Sequence, residues 1–229
     1  YKFNTGEGDI LYDHSGNGNH GTINGATWVE NIEGCTDELA VNYNPDANWD
    51  DASCEYPDNG DYSLYFESDH VSINDLGTIT DYTISLWMNG DEIYEEENLV
   101  SSQGDYGRHM IRVEYGVLYG VDYSTCSGDL SNINLKDGQW HHIVKVREGS
   151  SSITQNYWYI DGIFCESNSN VFIDNILVFG YDYGYASYYS GQLDNVFIWD
   201  KPFEYLEVID NIENHSNSSN LIGEYYFNA

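Results

Sequence analysis

The chain has 229 residues, a length that an all-β sandwich reaches as one domain with room for a small insertion. Seven Lys and Arg against 39 Asp and Glu give a net charge of −32, a field that repels phosphate backbones and anionic lipid and excludes nucleic acid and direct membrane insertion. A hydrophobic fraction of 41% with 16% aromatic residues excludes a disordered acidic tail, and no apolar run approaches the roughly 18 residues of a membrane span.

Short segments of alternating polar and apolar residues, separated by Gly, Asn, Asp and Ser, predict an all-β, antiparallel two-sheet β-sandwich. In chain order, strands are expected at 21–28, 62–66, 82–88, 98–102, 109–114, 117–122, 141–147, 156–160, 176–179 and 192–199. Within 82–88, Tyr82, Ile84, Leu86 and Met88 share one face and Thr83, Ser85 and Trp87 the other. One face is therefore core, and the other is free to present Trp87 to a ligand. Residues 202–212 carry a helical pattern, with Pro202 suited to a first turn and Phe203, Leu206 and Ile209 recurring at helical spacing. The segment 34–57 breaks the strand rhythm: it is dense in Asp and Asn and bounded by Cys35 and Cys54. It reads as a small disulfide-closed insertion in a sandwich formed by 1–33 and 58–229.

Cys35, Cys54, Cys126 and Cys165 form an even set without the Cys-x-x-Cys spacing of metal sites, which points to disulfides and an extracellular, oxidising compartment. Of three possible connectivities, the expected one joins Cys35 to Cys54 and Cys126 to Cys165. A chain beginning at Tyr1 rather than Met fits a processed secreted product or a segment of something longer. So acidic a chain needs countercharge from salt, a cationic ligand or divalent ions, and hard Ca²⁺ suits its oxygen donors. In the insert, Asp37, Asn42, Asn44, Asp46, Asp50 and Asp51 either supply oxygens to a Ca²⁺ or form Asx turns in a solvated loop. Asn214 and Asn217 each open an Asn-x-Ser glycosylation sequon. Tyr1-Lys-Phe-Asn4 is echoed by Tyr225-Tyr-Phe-Asn228, which is either chance or the mark of tandem copies and head-to-tail strand addition between copies.

Six stretches carry a family resemblance in order along the chain. They are Asp13-His-Ser-Gly-Asn-Gly-Asn-His-Gly21 leading to Gly25-Ala-Thr-Trp28, then Tyr62-Ser-Leu-Tyr-Phe66, Tyr82-Thr-Ile-Ser-Leu-Trp87, Gly138-Gln-Trp-His-His-Ile143, Tyr157-Trp-Tyr-Ile-Asp-Gly162 and Gly191-Gln-Leu-Asp-Asn-Val-Phe-Ile-Trp199. Together they resemble the laminin-G-like and concanavalin A-like jelly-roll superfamily of lectins and glucanases. The resemblance implies a structural Ca²⁺ tying the early glycine loop to the late Gly-x-Leu-Asp strand, with Asp13, Asn17, Asn19 and Asp194 as its ligands. Gly16 and Gly18 let that loop fold tightly enough for oxygens to converge. The Cys-bounded insert looks like a short Asp-rich module of secreted surface proteins and departs from the minimal family pattern.

Glycoside hydrolysis requires two carboxylates facing one sugar bond, and the superfamily's alternating Glu-x-Asp-x-x-Glu motif is absent, so no enzymatic activity is expected. His141 and His142 point to opposite faces of a strand, one expected packed and hydrogen-bonded and the other exposed. Of 22 Tyr, five fall in 181–189. This loop, through Tyr181, Asp182, Tyr183 and Tyr185, with Asp105, Tyr106, Arg108 and Trp87, is the expected carbohydrate-binding set, since rings stack on sugar faces while carboxylates bind hydroxyls. The same tyrosines also suit packing and protein contacts. The functional expectation is a non-catalytic, calcium-stabilised extracellular module binding carbohydrate or a cell-surface glycan. Its alternative is a glycosylated structural subunit of a head-to-tail filament.

Overall fold

Every second residue of 82–88 is apolar, and that alternation makes the strand on which the second half of the molecule is built. The computed structural model describes residues 3, 5–56, 62–74, 76–90, 92, 94–103, 108–119, 133–150, 153–167, 176–182, 186–213 and 220–225. At 103, 108, 109, 119, 150, 153–155, 165–167, 176 and 210–213 it describes the backbone alone. The chain divides into two compact units, Tyr1–Asn59 and Gly60–Ala229. Residues 1–33, expected in the sandwich, thus group with the Cys-bounded insert.

The first unit holds four two-residue strands: β1 (Ile10–Leu11), β2 (Gly21–Thr22), β3 (Glu33–Gly34) and β4 (Trp49–Asp50). β1 pairs antiparallel with β2, and β3 pairs parallel with β4. The long strand expected at 21–28 is only β2, and beyond it the chain is fixed by side-chain hydrogen bonds instead of a ladder; the Asn24 Nδ2 donates to the Thr22 carbonyl at 3.3 Å and the Trp28 indole to the Gly8 carbonyl at 2.9 Å. Asn48 does the work of a longer strand: its Oδ1 accepts from Ile32 N–H at 2.9 Å and its Nδ2 donates to the Glu30 carbonyl at 2.8 Å. The disulfide joins Cys35 to Cys54, as expected, with Cα atoms 4.8 Å apart. Among the unit's described residues, only Cys35 and Ala40 are buried.

The second unit contains, in chain order, β5 (Leu64–Glu67), β6 (Val71–Ile73), β7 (Tyr82–Asn89), β8 (Glu97–Gln103), β9 (Arg108–Glu114), β10 (Val117–Tyr119), β11 (Trp140–Ser150), β12 (Ile153–Ile160), β13 (Ile163–Ser167), β14 (Ile176–Phe179), β15 (Tyr181–Asp182), β16 (Ser187–Tyr188), β17 (Ser190–Trp199), α1 (Tyr205–Glu213) and β18 (Leu221–Tyr225). Among the described residues, one sheet runs β10-β9-β8-β14-β6 and the other β13-β12-β11-β7-β17, with β17 flanked on its far side by β5 and then β18. Pairing throughout both sheets is antiparallel, so the expected all-β two-sheet sandwich is what forms. No described helix is long and apolar enough to cross a membrane.

The core lies between the sheets. Tyr82, Ile84, Leu86 and Met88 of β7 meet Leu99, Val100, Ile111, Leu177 and Phe179 of the facing sheet. At one end the outer face of the larger sheet is covered as well: Val144, Val146, Tyr159, Phe197 and Trp199 pack against Phe203 and Val208. Thr83 fixes this cover, its Oγ1 donating to the Lys201 carbonyl at 2.8 Å and accepting from Phe203 N–H at 3.0 Å. The helix consequently starts at Tyr205 rather than Pro202, Val208 is buried, and Leu206, which recurs at the expected helical spacing, is exposed.

Four of the seven Lys and Arg are inside: Arg112, Lys136, Lys145 and Arg147 are buried. Lys145 Nζ donates to the Met110 carbonyl at 2.9 Å and lies 5.0 Å from the Trp158 ring centre. Lys136 is paired with Glu97 at 2.7 Å, both side chains fully buried, and the Glu97 carboxylate also accepts from Ser190 N–H. That pair ties the loop before β11 to the edge of β8 and the start of β17. Burial and the nearby Glu97 charge push the Tyr189 hydroxyl far above its ordinary pKa, so it acts as a neutral donor to the Asn89 and Gln192 carbonyls.

Candidate functional site

The uncovered end of the larger sheet's outer face carries an open cleft of about 580 Å³ lined by Tyr62, Ser63, Trp87, Trp140, Gln192, Asp194 and Asn195. Register explains the grouping. Trp87 lies opposite His142 of β11 and Asp194 of β17, and two residues along, Asn89 lies between Trp140 and Gln192. Residues opposite one another in a ladder share a face, so these side chains emerge together.

A register shift between Asp194 and Phe197 adds an extra residue to β17, and Asn195 adopts φ +47° there. Asn tolerates this left-handed conformation better than a branched residue, and the Asp194 Oδ1 supports it by accepting from Asn195 N–H at 2.7 Å. The bulge lets Asp194 and Asn195 both line the cleft. Gln192 Nε2 donates to Ser63 Oγ at 2.7 Å, which anchors the 62–63 segment at the rim. Beneath, the His142 ring lies 4.9 Å from Trp87 and shares a 2.8 Å hydrogen bond through Nε2 with Ser85 Oγ, fixing the support on which the indole rests. The cleft offers three rings, of which Tyr62 and Trp140 are exposed and Trp87 half-buried, beside two amides and one carboxylate.

His141 and His142 do point to opposite faces, but neither is exposed. His141 Nδ1 lies 2.9 Å from Asp161 and Nε2 3.2 Å from Asp137, and these acids close over its ring, so the expectation that one of the two imidazoles is exposed is not met. The Gln139 N–H and then His141 draw the Asp137 carboxyl below its usual pKa.

Of the expected sugar-binding residues, Trp87 lines the cleft and Tyr181 with Asp182 does not. Tyr181 and Asp182 form β15, whose ribbon with β16 lies against β8 of the other sheet; Tyr181 stacks on Tyr188 with centroids 4.4 Å apart, and Asp182 is fully buried. Arg108 opens β9, and its side chain, with Asp105, Tyr106, Tyr183 and Tyr185, lies outside the described residues. So do Cys126, the Cys165 side chain, Asn214 and Asn217. Tyr62, Ser63, Trp140, Gln192 and Asn195 were missed. All five stand inside the quoted motifs, and it is the pairing of β7 with β11 and β17, and of β17 with β5, that brings them to one cleft.

Asp13 sits in the first unit and Asp194 in the second, so the calcium set is not contained in either unit alone. Asp13 closes its own loop: Oδ1 accepts from Ser15 N–H at 2.8 Å, and Oδ2 accepts from Ser15 Oγ at 2.8 Å and Asn19 N–H at 3.0 Å. The Ser15 hydroxyl, the Ser15 N–H and the Asn19 N–H hold its pKa down to about 2. Asn17 donates through Nδ2 to Ser15 Oγ at 3.1 Å. A carboxylate has roughly four acceptor positions, so Asp13 retains about one for a hard cation.

In the insert, Asp37, Asn44, Asp50 and Asp51 each accept from the backbone N–H two residues on, forming Asx turns. Asp37 also accepts from Tyr56 OH at 2.7 Å, and Asn42 bridges Ser53 and Glu55 of the opposite strand of the loop. Asp46 contributes its N–H to the Asn44 turn. Among the described residues no group of three or more His, Cys, Asp or Glu side chains is placed to hold a metal ion.

The fold has known counterparts. A candidate carbohydrate-binding protein from Bacteroides ovatus superposes with TM-score 0.58 at 13% identity, covering 77% of this chain and 54% of that one. This chain therefore spans about half the length of that relative. A native heptameric SAP-like pentraxin from Limulus polyphemus gives TM-score 0.46 at 19% identity, covering 66% and 77% of the two chains. Domain 4 of AbnA, a GH43 extracellular arabinanase from Geobacillus stearothermophilus solved with arabinotriose, gives 0.49 at 14% identity, covering 65% and 75%. Among curated protein sequences, none matches. The Laminin_G_3 family model matches residues 65–209, more than half of the sequence, and the chain belongs to the Concanavalin A-like lectin/glucanases superfamily.

Proposed function

We propose that this protein is a secreted, non-catalytic module that binds carbohydrate in the cleft formed by Trp87, Trp140 and Tyr62. The observation that carries the reading is the composition of that cleft: stacking rings beside Gln192 and Asn195, whose amides both donate to and accept from hydroxyls, and Asp194, which accepts. The likeness in fold to the Bacteroides ovatus protein supports the same class of ligand. Asp194 is the one carboxylate among the described lining residues, whereas glycosidic hydrolysis needs two, which favours binding over cleavage. The Cys35–Cys54 disulfide supports an oxidising, extracellular setting. Tyr225 pairs with Val196 in its own sheet and packs on Phe179 of the facing sheet, which favours a self-contained module over one joined to its neighbours by that strand. Tyr1, Lys2, Asn4 and residues 226–228 lie outside the described residues.

A glycan array with Ca²⁺ present, followed by calorimetry on the best neutral oligosaccharide, tests the reading. Trp140→Ala should weaken binding about ten-fold or more, equivalent to ~1.4 kcal/mol, with the melting temperature kept. No binding on the array, or a Trp140→Ala protein that binds as the wild type does, overturns it. Calcium belongs to the proposal through the loop of Asp13, Asn17 and Asn19. A chelator should lower the melting temperature, and an unchanged one removes calcium from the account.

A further inference from the structure

The outer face of the larger sheet carries a second cleft, of about 690 Å³, that shares no lining residue with the first. It is floored by rings. Tyr157 and Tyr159 alternate along β12, Phe164 lies opposite Tyr159 on β13, and Tyr205 stands at the start of α1. Neighbouring centroids are 6.0 Å apart for Tyr157 and Phe164, 5.5 Å for Phe164 and Tyr159, and 6.0 Å for Tyr159 and Tyr205. Tyr159 is buried beneath, while Phe164 and Tyr205 are about half exposed to whatever enters.

The rim has one sign of charge to offer. Glu148 and Glu204 line the cleft with exposed side chains. The cation at this place, Lys201, is already committed: it is ion-paired with Glu207, and its ammonium lies 5.7 Å from the Phe203 ring centre. Lys201 draws the Glu207 carboxyl below its ordinary pKa, and Glu207 also accepts from the Glu204 N–H at 3.0 Å, which offsets the positive end of the helix. The cleft thus combines ring faces, which are electron-rich, with carboxylate acceptors, and it has no amide side chain among its lining residues. A sugar would find none of the side-chain amides that line the first cleft, and an anion would be repelled.

We propose that this groove binds an alkylammonium group, its carbon substituents lying on Tyr157, Phe164 and Tyr205 and its charge answered by Glu148 and Glu204. A charge of −32 on the whole chain draws such a cation from a distance.

Titration of the full chain, followed by NMR or tyrosine fluorescence, tests this with three probes, each acetylated at Nα so that no α-ammonium is present: Nε-trimethyllysine amide, lysine amide, and the trimethyl compound's neutral isostere in which carbon replaces the quaternary nitrogen. The expected result is saturable binding of the trimethyl probe, with the isostere about ten-fold weaker or worse. Tighter binding of unmethylated lysine amide would still support the groove but assign it to a primary ammonium. Tyr205→Ala should abolish saturation, and Glu148→Gln with Glu204→Gln should cost several-fold and flatten the salt dependence. These two glutamates are exposed, so the double variant reports on binding even if Tyr205→Ala does not fold. Trp140→Ala should leave the affinity as it is, which separates failure here from failure of the sugar reading. The proposal is overturned if the isostere binds as well as the cation, if no probe saturates, or if the double glutamate variant binds as the wild type does.

Discussion

The two units of this chain are held together by different physics. In Tyr1–Asn59, Asp13, Asp37, Asn44, Asp50 and Asp51 each bend the backbone onto their own side chain, and a disulfide closes the largest loop. In Gly60–Ala229, two apolar clusters lie on opposite faces of one sheet, and even charges are drawn inside as pairs. Side chains that satisfy nearby N–H groups specify local shape without removing much apolar surface from water. Burial couples residues distant in the sequence, and it is this coupling that makes unfolding cooperative. The comparison teaches that the acidic composition serves two ends: as turn chemistry in the first unit and as a partner for buried cations in the second.

The sharpest way to break that contrast is inside the sandwich. Glu97→Ala strands the Lys136 ammonium in the interior and should cost about 3–5 kcal/mol by denaturant titration, while Glu97→Met with Lys136→Met should recover most of it. A single variant within about 0.5 kcal/mol of wild type would show that the pair is not an interior tie. Next in size, Cys35→Ser with Cys54→Ser should cost the first unit about 3 kcal/mol, seen as lost amide-exchange protection over 34–56 with the sandwich midpoint unmoved. An equal fall in the sandwich midpoint would mean that the two regions unfold as one body. Thr83→Val removes the clamp on Lys201 and Phe203 and should cost about 1 kcal/mol, read as faster exchange in α1.

The smallest effect is acid sensitivity. Asp13 is held at about 2, below the ordinary Asp value, so its contribution is complete above the unfolded pKa and is lost as pH falls through the folded one. Exchange at Ser15 and Asn19 N–H should therefore lose protection as pH drops from about 4 toward 2, beyond the intrinsic pH dependence of exchange, and Asp13→Asn should flatten that response. Equal losses in both proteins would take Asp13 out of the loop's closure.

Much of the sandwich was legible because a period of two is a local signal. Tyr82, Ile84, Leu86 and Met88 announce the core face without reference to any other strand. The Cys35–Cys54 bridge was legible for a similar reason, as its ends delimit a change in composition. The aromatic cleft was only partly legible: Trp87 shows its outward direction in its own strand, but Trp140 and Asn195 join it through register and a bulge. Density of tyrosine misled at Tyr181 and Asp182, since a cluster in sequence became a ribbon packed on the other sheet with its acid buried. The helix start misled because Phe203 fits helical spacing yet is pinned by Thr83, a residue 120 positions earlier.

Withdrawing Arg112, Lys136, Lys145 and Arg147 into the interior leaves at most three Lys or Arg to face the surroundings, and Lys201 among them is already paired. The ionic atmosphere around the folded protein is consequently almost purely cationic, and over about 8–10 Å at moderate ionic strength two such bodies repel unless mobile cations collect between them. Crowding these molecules on a surface is therefore a question of the surrounding brine as much as of shape.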